Sequence, residues 1–415
     1  MPCHHPQRRL LRTVIAVAAL ATIVVACSPP ASPGGSIPPN QPSAQPTTTT
    51  VVTTTTTAAP PVGYSVVSTG VRHTCGITLA GAARCWGHNG TGQLGDGTTI
   101  DRWTPVQVSG LTSGVTSISV GEHHTCAVRN GAALCWGHNG TGQLGDGTTT
   151  PRWTPVQVSG LTAGIQSIGA GSFGFSCSMS VLGGVNCWGH NSAGQLGDGT
   201  TADSLVPVPV TGLATGVTSL STGGRHTCVV QSSAAKCWGH NYNGQLGDGT
   251  TADNPTATVV AGLGSGVTAV SATYSQSCAV QNGAALCWGD NHYGQLGDGT
   301  TTSSATPVQV SGLTSGVTVV SAGYLSSCAV HNDAALCWGF NGYGGIGDNT
   351  TTTRTVPVQV TGLTAGVAGI AVGESYACAV TTGGSASCWG RNGSGRLGDG
   401  TDTHRLVPAP VPMPT

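Results

Sequence analysis

The chain has 415 residues, a net charge of −1 at pH 7 and only 7% charged side chains, whereas it contains 66 glycines. This composition favours short strands joined by tight turns over long amphipathic helices. The near-zero net charge excludes the strong positive field that nucleic-acid binding requires.

The N-terminal segment has the pattern of an export signal. Arginines within residues 8–12 precede an apolar stretch over residues 13–26, which is too short to span a bilayer as a stable helix but suits a signal peptide. The stretch ends in Val-Val-Ala-Cys, which resembles the lipobox of bacterial lipoproteins. We expect residues 1–26 to be a lipoprotein-type signal peptide and Cys27 to carry the lipid, with ordinary cleavage and secretion as the alternative.

Residues 27–61 are rich in proline, serine and threonine and contain few apolar side chains. Such a segment buries too little apolar surface to form a core, so we expect an extended tether. In polyproline II conformation, at about 3.1 Å per residue, it reaches roughly 100 Å. The predicted tether is therefore long enough to hold a folded domain away from the surface that anchors it.

The rest of the chain, residues 62–415, is built from a repeated unit. A Trp-Gly pair recurs seven times at a spacing of 50 to 52 residues, beginning at Trp86, Trp136, Trp188, Trp238, Trp288, Trp338 and Trp389. A fixed period of this size is typical of propellers and solenoids. Each unit alternates β-rich runs with turn signals and holds about four strands, which is the content of one propeller blade.

The two ends of the repeat region favour a closed ring. The first unit begins at Tyr64 without a preceding Pro-Val-Gln-Val run, and the C-terminal residues 405–409 match residues 102–106. We expect the C-terminal strand to complete the first blade, an exchange that protects the sheet edges and that an open solenoid does not need. The sequence thus predicts an all-β, seven-bladed β-propeller with about four strands per blade over residues 62–415.

The units are variants of a longer signature, Gly-x-x-His-(Thr/Ser) followed by Trp-Gly-x-Asn-x-x-Gly-Gln-Leu-Gly, which residues 121–125 and 136–145 contain in full. The histidine is absent from units three, five, six and seven, and the last two units have Gly345-Ile346 and Arg396 where the others have Gln-Leu and Gln. With this signature, residues 62–415 resemble the regulator of chromosome condensation repeat family. The resemblance implies a seven-bladed propeller.

Fourteen of the sixteen cysteines fall as one pair in each unit, whereas Cys3 lies in the predicted signal peptide and Cys27 is the predicted lipid site. The pairs are Cys75 and Cys85, Cys126 and Cys135, Cys177 and Cys187, Cys228 and Cys237, Cys278 and Cys287, Cys328 and Cys337, and Cys378 and Cys388.

The spacing places the two cysteines of a pair opposite each other on a hairpin. Between Cys126 and Cys135, Asn130-Gly131 is a strong signal for a two-residue type I′ turn, which makes the cysteines the fourth, non-hydrogen-bonded cross-strand pair. Three units have one extra residue, which a three-residue loop absorbs with Gly81, Gly183 or Gly384 in third position. We predict seven disulfides and an oxidising compartment, with free thiols or metal ligands as the alternative.

Residues before the first hairpin cysteine and after Trp-Gly vary between units, and the antiparallel hairpin brings both stretches to one end of the blade. All three phenylalanines and six of the seven tyrosines lie there. Aromatic residues at variable loop ends are typical of recognition surfaces. The alternative is that the rings fill packing gaps between blades. The candidate binding face comprises Phe173, Phe175, Tyr242, Tyr274, Tyr293, Tyr324, Phe340, Tyr343, Tyr376, His123 and Arg225.

No catalytic or metal-binding motif accompanies this face. The sequence contains no nucleophile elbow, phosphate loop or zinc-binding helix motif. The repeated Gly-Asp-Gly-Thr lacks the spaced acidic residues of a calcium loop, so we interpret its aspartate as a turn residue. We expect no enzyme activity, no metal and no cofactor.

The favoured hypothesis is a monomeric, non-catalytic propeller outside the cytoplasm, tethered to the membrane through Cys27 and binding an unknown protein or glycan of the cell envelope. The family resemblance implies two alternatives. One is a secreted inhibitor of an extracellular enzyme, since bacterial relatives inhibit β-lactamases. The other is guanine-nucleotide exchange, the activity of the eukaryotic founder, which conflicts with an export signal and paired cysteines because small GTPases are cytosolic.

Overall fold

The computed structural model describes residues 63–412, so the predicted signal peptide, Cys27 and the whole of the predicted tether lie outside the described residues. Seven antiparallel sheets of four strands form the blades, and within each sheet the strands are neighbours in chain order. The prediction of a seven-bladed, all-β propeller is confirmed. Among the residues described, no helix is long and apolar enough to cross a membrane.

The strands are numbered in chain order. Blade 1 contains β1 (Tyr64–Thr69), β2 (His73–Thr78), β3 (Ala83–Gly87) and β4 (Arg102–Gln107); blade 2, β5 (Val115–Val120), β6 (His124–Arg129), β7 (Ala132–Gly137) and β8 (Arg152–Gln157); blade 3, β9 (Ile165–Ala170), β10 (Phe175–Ser180), β11 (Val185–Gly189) and β12 (Ser204–Pro209); blade 4, β13 (Val217–Thr222), β14 (His226–Gln231), β15 (Ala234–Gly239) and β16 (Asn254–Val259). Blade 5 contains β17 (Val267–Ala272), β18 (Gln276–Gln281), β19 (Ala284–Gly289) and β20 (Ser304–Gln309); blade 6, β21 (Val317–Ala322), β22 (Ser326–His331), β23 (Ala334–Gly339) and β24 (Arg354–Gln359); blade 7, β25 (Val367–Val372), β26 (Tyr376–Thr381), β27 (Ala386–Gly390) and β28 (Arg405–Pro410), with a 3₁₀ turn at Gly393–Gly395.

The hydrophobic core lies between neighbouring blades. One cluster joins Cys75 and Leu94 of blade 1 to Ile118, Ala127 and Trp136 of blade 2, and the clusters at the other junctions repeat this arrangement. The Trp-Gly tryptophan of every blade is fully buried. Its indole N–H also crosses the junction, since Trp136 Nε1 donates to the carbonyl of Gln93 over 2.9 Å. The tryptophans therefore serve as the main packing element between blades.

The hairpin geometry predicted for the cysteines is confirmed. Cys126 and Cys135 are direct cross-strand partners with a Cα–Cα distance of 4.1 Å and form a disulfide, as do the equivalent pairs in the other six blades. Asn130 and Gly131 have φ values of 51° and 79°, as a type I′ turn requires. In the three longer hairpins the expected glycine takes a positive φ, at Gly81, Gly183 and Gly384.

The predicted closure by strand exchange is wrong. The C-terminal strand β28 pairs with β27 of its own blade, with Cys388 opposite Ala409, and β4 completes blade 1. Periodicity gives the length of a repeat but not its phase, and the Pro-Val-Gln-Val run ends a blade instead of beginning one. The first and last blades meet without exchange, and Trp86 Nε1 donates to the carbonyl of Arg396 over 3.0 Å, as at the other junctions.

Each blade has two ends, which define two faces of the ring. The turn face carries the β-hairpin turns between the second and third strands, and the loop face carries the loops that join the first strand to the second and the third to the fourth. The described chain begins on the turn face, where Tyr64 N donates to Gly384 O of a hairpin turn over 2.8 Å. It also ends there, where Val411 N donates to Ala386 O over 3.0 Å.

Candidate binding surface

The loop face surrounds the mouth of a central cavity of about 240 Å³ that the innermost strands line. Serine side chains on these strands tie neighbouring blades together, because Ser119 Oγ accepts from Ala170 N and Ser221 Oγ accepts from Ala272 N, each over 2.9 Å. The loops between first and second strands also bond to each other, since Phe173 N donates to Gly224 O over 3.2 Å. The loop face therefore rests on a cross-linked inner ring.

Three of the predicted face residues form an inner aromatic cluster at this mouth: Phe173, Tyr274 and Tyr324. The ring centroids of Phe173 and Tyr274 are 4.8 Å apart, and those of Tyr274 and Tyr324 are 4.2 Å apart. Burial, reinforced by Tyr274, raises the pKa of Tyr324 to about 12, so the Tyr324 phenol remains neutral at physiological pH. The guanidinium of Arg225 lies over the Phe173 ring at 4.7 Å.

Four other predicted residues form an outer aromatic arc, which consists of Tyr242, Tyr293, Phe340 and Tyr343 in the loops of blades 4 to 6. Phe340 lies 5.2 Å from Tyr293 and 6.2 Å from Tyr343, measured between ring centroids. The exposed fractions of Tyr242, Tyr293 and Tyr343 are 77%, 41% and 38%. These exposed aromatic side chains are available for contact with a partner.

The structure removes Phe175 and Tyr376 from the candidate face, where their placement was wrong. Both are fully buried, because they are the first residues of β10 and β26 and occupy the position that a buried histidine holds in three other blades. Phe175 packs in the core between blades 3 and 4. Tyr376 donates its hydroxyl to the carbonyl of His73 over 2.8 Å and so contributes to the junction between the last and first blades.

The signature histidine makes a contact between blades that the sequence analysis missed. His226 Nε2 donates to Ser277 Oγ of the next blade over 2.8 Å, and Ser277 Oγ donates to the carbonyl of Gln245 over 3.0 Å. His73 and His124 make the equivalent contacts at their own junctions. Burial lowers the pKa of His226 to about 3, so this imidazole is neutral in the folded protein. The available signal in the sequence was that each of these histidines is followed, 51 or 52 residues later, by a threonine or serine in the next unit.

The aspartate of Gly-Asp-Gly-Thr makes the contacts of a turn residue. Asp146 Oδ1 accepts from Thr148 N over 3.0 Å and from Thr148 Oγ1 over 2.7 Å, and its Oδ2 accepts from Arg152 Nη2 over 2.9 Å. Partial burial alone would raise the pKa of Asp146, but these bonds outweigh it and lower the pKa below its usual value. Within residues 63–412, no three His, Cys, Asp or Glu side chains are arranged to hold a metal ion.

Two ionic cavities flank the aromatic residues of the loop face. The first has a volume of about 340 Å³, and there Glu374 accepts from Arg391 at 3.0 Å and lies 3.4 Å from Arg396. The second, called here the histidine cavity, has a volume of about 330 Å³. It is lined by Glu122, His123, His124, His138, Thr141, Gln143, Ser172, Phe173, Gly174, His190 and Arg225. Both predicted non-aromatic face residues, His123 and Arg225, therefore border one site.

A ring of seven disulfide-closed blades, with one face of variable aromatic and ionic loops, defines a β-propeller built from sequence repeats. The pattern of the regulator of chromosome condensation (RCC1) repeat matches residues 81–128, 130–176, 183–230, 282–330 and 332–380, which together exceed half of the chain. The chain belongs to the RCC1 repeat family.

Similar proteins include the Arabidopsis thaliana ultraviolet-B receptor UVR8, which is 30% identical over 175 residues, or 41% of this chain and 40% of the receptor. The chain thus matches less than half the length of this relative. Among solved structures, human WBSCR16 has a TM-score of 0.72 at 22% identity and covers 81% of this chain and 94% of its own. Yeast RCC1 (Prp20), solved bound to Kap60, has a TM-score of 0.70 at 19% identity, covering 85% of each chain. At these identities the solved structures show the shared fold.

Proposed function

We propose that the protein is a non-catalytic binding propeller held outside the cytoplasmic membrane by a lipid on Cys27, and that it recognises a protein or glycan of the cell envelope through its loop face. The outer aromatic arc carries this proposal, because it exposes three tyrosines on a rigid scaffold. Exposed aromatic side chains supply contact area at little cost in conformational entropy and are enriched in interface hot spots.

The seven disulfides support a location in an oxidising compartment. The position of the first described residues shows which face the tether would join. Because Gly63 and Tyr64 lie on the turn face, an anchored tether would join the propeller there, on the face opposite the outer aromatic arc. Anchor and aromatic face would therefore not compete for the same surface.

Relatives of this fold act as binders of proteins. The structure of the yeast protein Prp20 has been solved with Prp20 bound to Kap60, and Prp20 also has binding properties toward Gsp1p and histones. By analogy with these relatives, a protein ligand is the favoured class here, with a glycan as the second possibility.

The test is recovery of an envelope partner by full-length protein in which Tyr242, Tyr293 and Tyr343 are replaced by alanine. We expect the triple variant to lose most of the partner that the unaltered protein recovers, since truncating a central aromatic contact costs about 2 kcal/mol or more. The matched control is Leu182→Ala, which alters a 76% exposed apolar side chain on the turn face and should leave recovery unchanged. Full recovery by the triple variant would refute the assignment of the loop face.

A further inference from the structure

Arg225 differs from the other arginines of the loop face in its lack of a carboxylate partner. Within residues 63–412, Arg72 lies 4.0 Å from Glu122, and Arg391 and Arg396 both contact Glu374. No carboxylate of the described residues lies within ion-pair distance of the Arg225 guanidinium, and its Nε is buried without a hydrogen-bond partner.

The position of Arg225 also leaves its guanidinium available. It is partly buried, it stacks on Phe173, and it borders both the histidine cavity and a second cavity of about 250 Å³ that His240 and Tyr274 also line. A buried polar group without a partner costs free energy, which a ligand that supplies the missing acceptor recovers. A guanidinium is planar and presents its N–H groups in one plane, the geometry that binds a carboxylate or phosphate, and here it is held over the Phe173 ring.

The imidazoles of the histidine cavity add hydrogen-bond donors. Gln143 Nε2 lies 2.9 Å from His138 Nδ1, so His138 Nδ1 is the acceptor and its Nε2 carries the proton. His123 lies beside it, with 6.3 Å between the two ring centroids, and its Nε2 lies 3.3 Å from Glu122 Oε1. His190 lines the same cavity, but its Nε2 lies 2.8 Å from Ser192 Oγ and its Nδ1 lies 3.3 Å from Asp203 Oδ1, so His138 Nε2 is the donor that faces a ligand. His124 takes no part, because its Nε2 is already bonded to Ser176.

We propose that the histidine cavity is a binding site for an oxyanion, a carboxylate or phosphate carried on a flat apolar group, with Arg225 as its principal contact and Phe173 as the platform for the apolar part. The cavity of about 330 Å³ is large enough for a small aromatic acid or the end of a larger ligand. This inference rests on the proposed function, to which it adds the charge class of the ligand.

The site binds the anion more tightly in mild acid. The fixed charges around the cavity are equal in number, because Arg225 and Arg72 contribute two positive charges, while Glu122, 4.0 Å from Arg72, and Asp203, 3.3 Å from His190, contribute two negative charges. Histidine is the side chain that gains charge between pH 8 and 5, and an anion in the cavity favours the protonated imidazole. Burial and the neighbouring His123 lower the pKa of His138, and a bound anion opposes this shift because it stabilises the protonated imidazole. The titratable and charged groups around the site are Arg72, Glu122, His123, His124, His138, His190, Asp203, Arg225 and His240.

The experiment follows the histidine ring signals of the full-length protein by NMR during titration with benzoate, with its neutral analogue benzamide and with inorganic phosphate. We expect saturable shifts of the cavity histidines with benzoate, none with benzamide, and affinity roughly tenfold higher at about pH 5.5 than at about pH 7.5. Phosphate binding as tightly as benzoate would identify the oxyanion alone as the ligand, whereas weaker phosphate binding would show that the Phe173 platform contributes.

Two variants complete the design. Arg225→Gln should weaken benzoate binding at least about tenfold, because it removes a charge-assisted hydrogen-bond pair. The matched control, Arg129→Gln, alters an arginine next to a turn-face hairpin and should bind as the unaltered protein does. Equal shifts with benzoate and benzamide, or undiminished binding by Arg225→Gln, would overturn the proposal.

The benzoate titration does not depend on the partner experiment. If benzoate fails to bind while the tyrosine triple variant loses its partner, only the oxyanion site is refuted. If benzoate binds and the triple variant keeps its partner, the assignment of the outer aromatic arc is refuted instead.

Discussion

The contact between His226 and Ser277 leads to a prediction about the variant His226→Gln, whose effect on the free energy of unfolding should change sign with pH. Both side chains are fully buried, so replacing His226 by alanine should cost about 2–4 kcal/mol through the cavity and the lost bond. Replacing His226 by glutamine should lower the free energy of unfolding much less at neutral pH, by about 1 kcal/mol or less, because the amide can keep the hydrogen bond. Blade 5 provides the precedent, because Gln276 Nε2 donates there to Ser327 Oγ over 2.9 Å.

In acid, His226→Gln should become more stable than the unaltered protein. Burial holds the pKa of His226 at about 3 in the folded state, while the unfolded state keeps its ordinary value of 6.5. Between these values the unfolded chain binds a proton that the folded protein does not, so stability falls by about 1.4 kcal/mol per pH unit as pH drops. At about pH 4.5 this term reaches about 3 kcal/mol and is absent from His226→Gln, which should then be the more stable protein by about 2 kcal/mol.

Urea denaturation of the oxidised protein at both pH values measures this difference. Carboxylates and the other buried histidines contribute equally to both proteins, so their terms cancel in the comparison. Parallel stability profiles for the unaltered protein and His226→Gln, with no crossing, would refute the assignment of His226 as a buried neutral donor.

Two further predictions concern the disulfides and the anchor. Replacing both Cys126 and Cys135 by serine should lower the free energy of unfolding by about 2–3 kcal/mol, as the loop-entropy relation gives for so short a loop; an unchanged denaturation midpoint would contradict this. Cys27→Ser should release the protein from the envelope fraction into the soluble exported fraction, measured by fractionation and immunoblotting. Continued membrane retention of this variant would show that the anchor is not a lipid on Cys27.

The fold and the disulfides were predictable because their signals are local and repeated. Asn130-Gly131 determines a turn type, the turn determines the cross-strand register, and the register places Cys126 opposite Cys135. The seven repetitions made each inference testable against the others within one chain.

The closure and part of the surface were not predictable in the same way. The phase of a repeat depends on which strands pair across long loops, and here β28 pairs with β27, the strand that precedes it in the chain. Phe175 and Tyr376 lie among variable residues in the sequence, yet each begins a strand whose side chains are buried against the next blade. Comparison with His73, His124 and His226 at the same repeat position would have identified both as junction residues.

The most direct test of an exported propeller that binds through its loop face is photo-crosslinking on intact cells. A photoreactive amino acid at Tyr293 reports on the loop face, and one at Leu182 reports on the turn face. We predict that position 293 gives a discrete crosslinked adduct with one partner, and that this partner lies outside the cytoplasm. Position 182 should give no adduct of the same mass. The same adduct from both positions, or crosslinks to cytoplasmic proteins alone, would contradict the account.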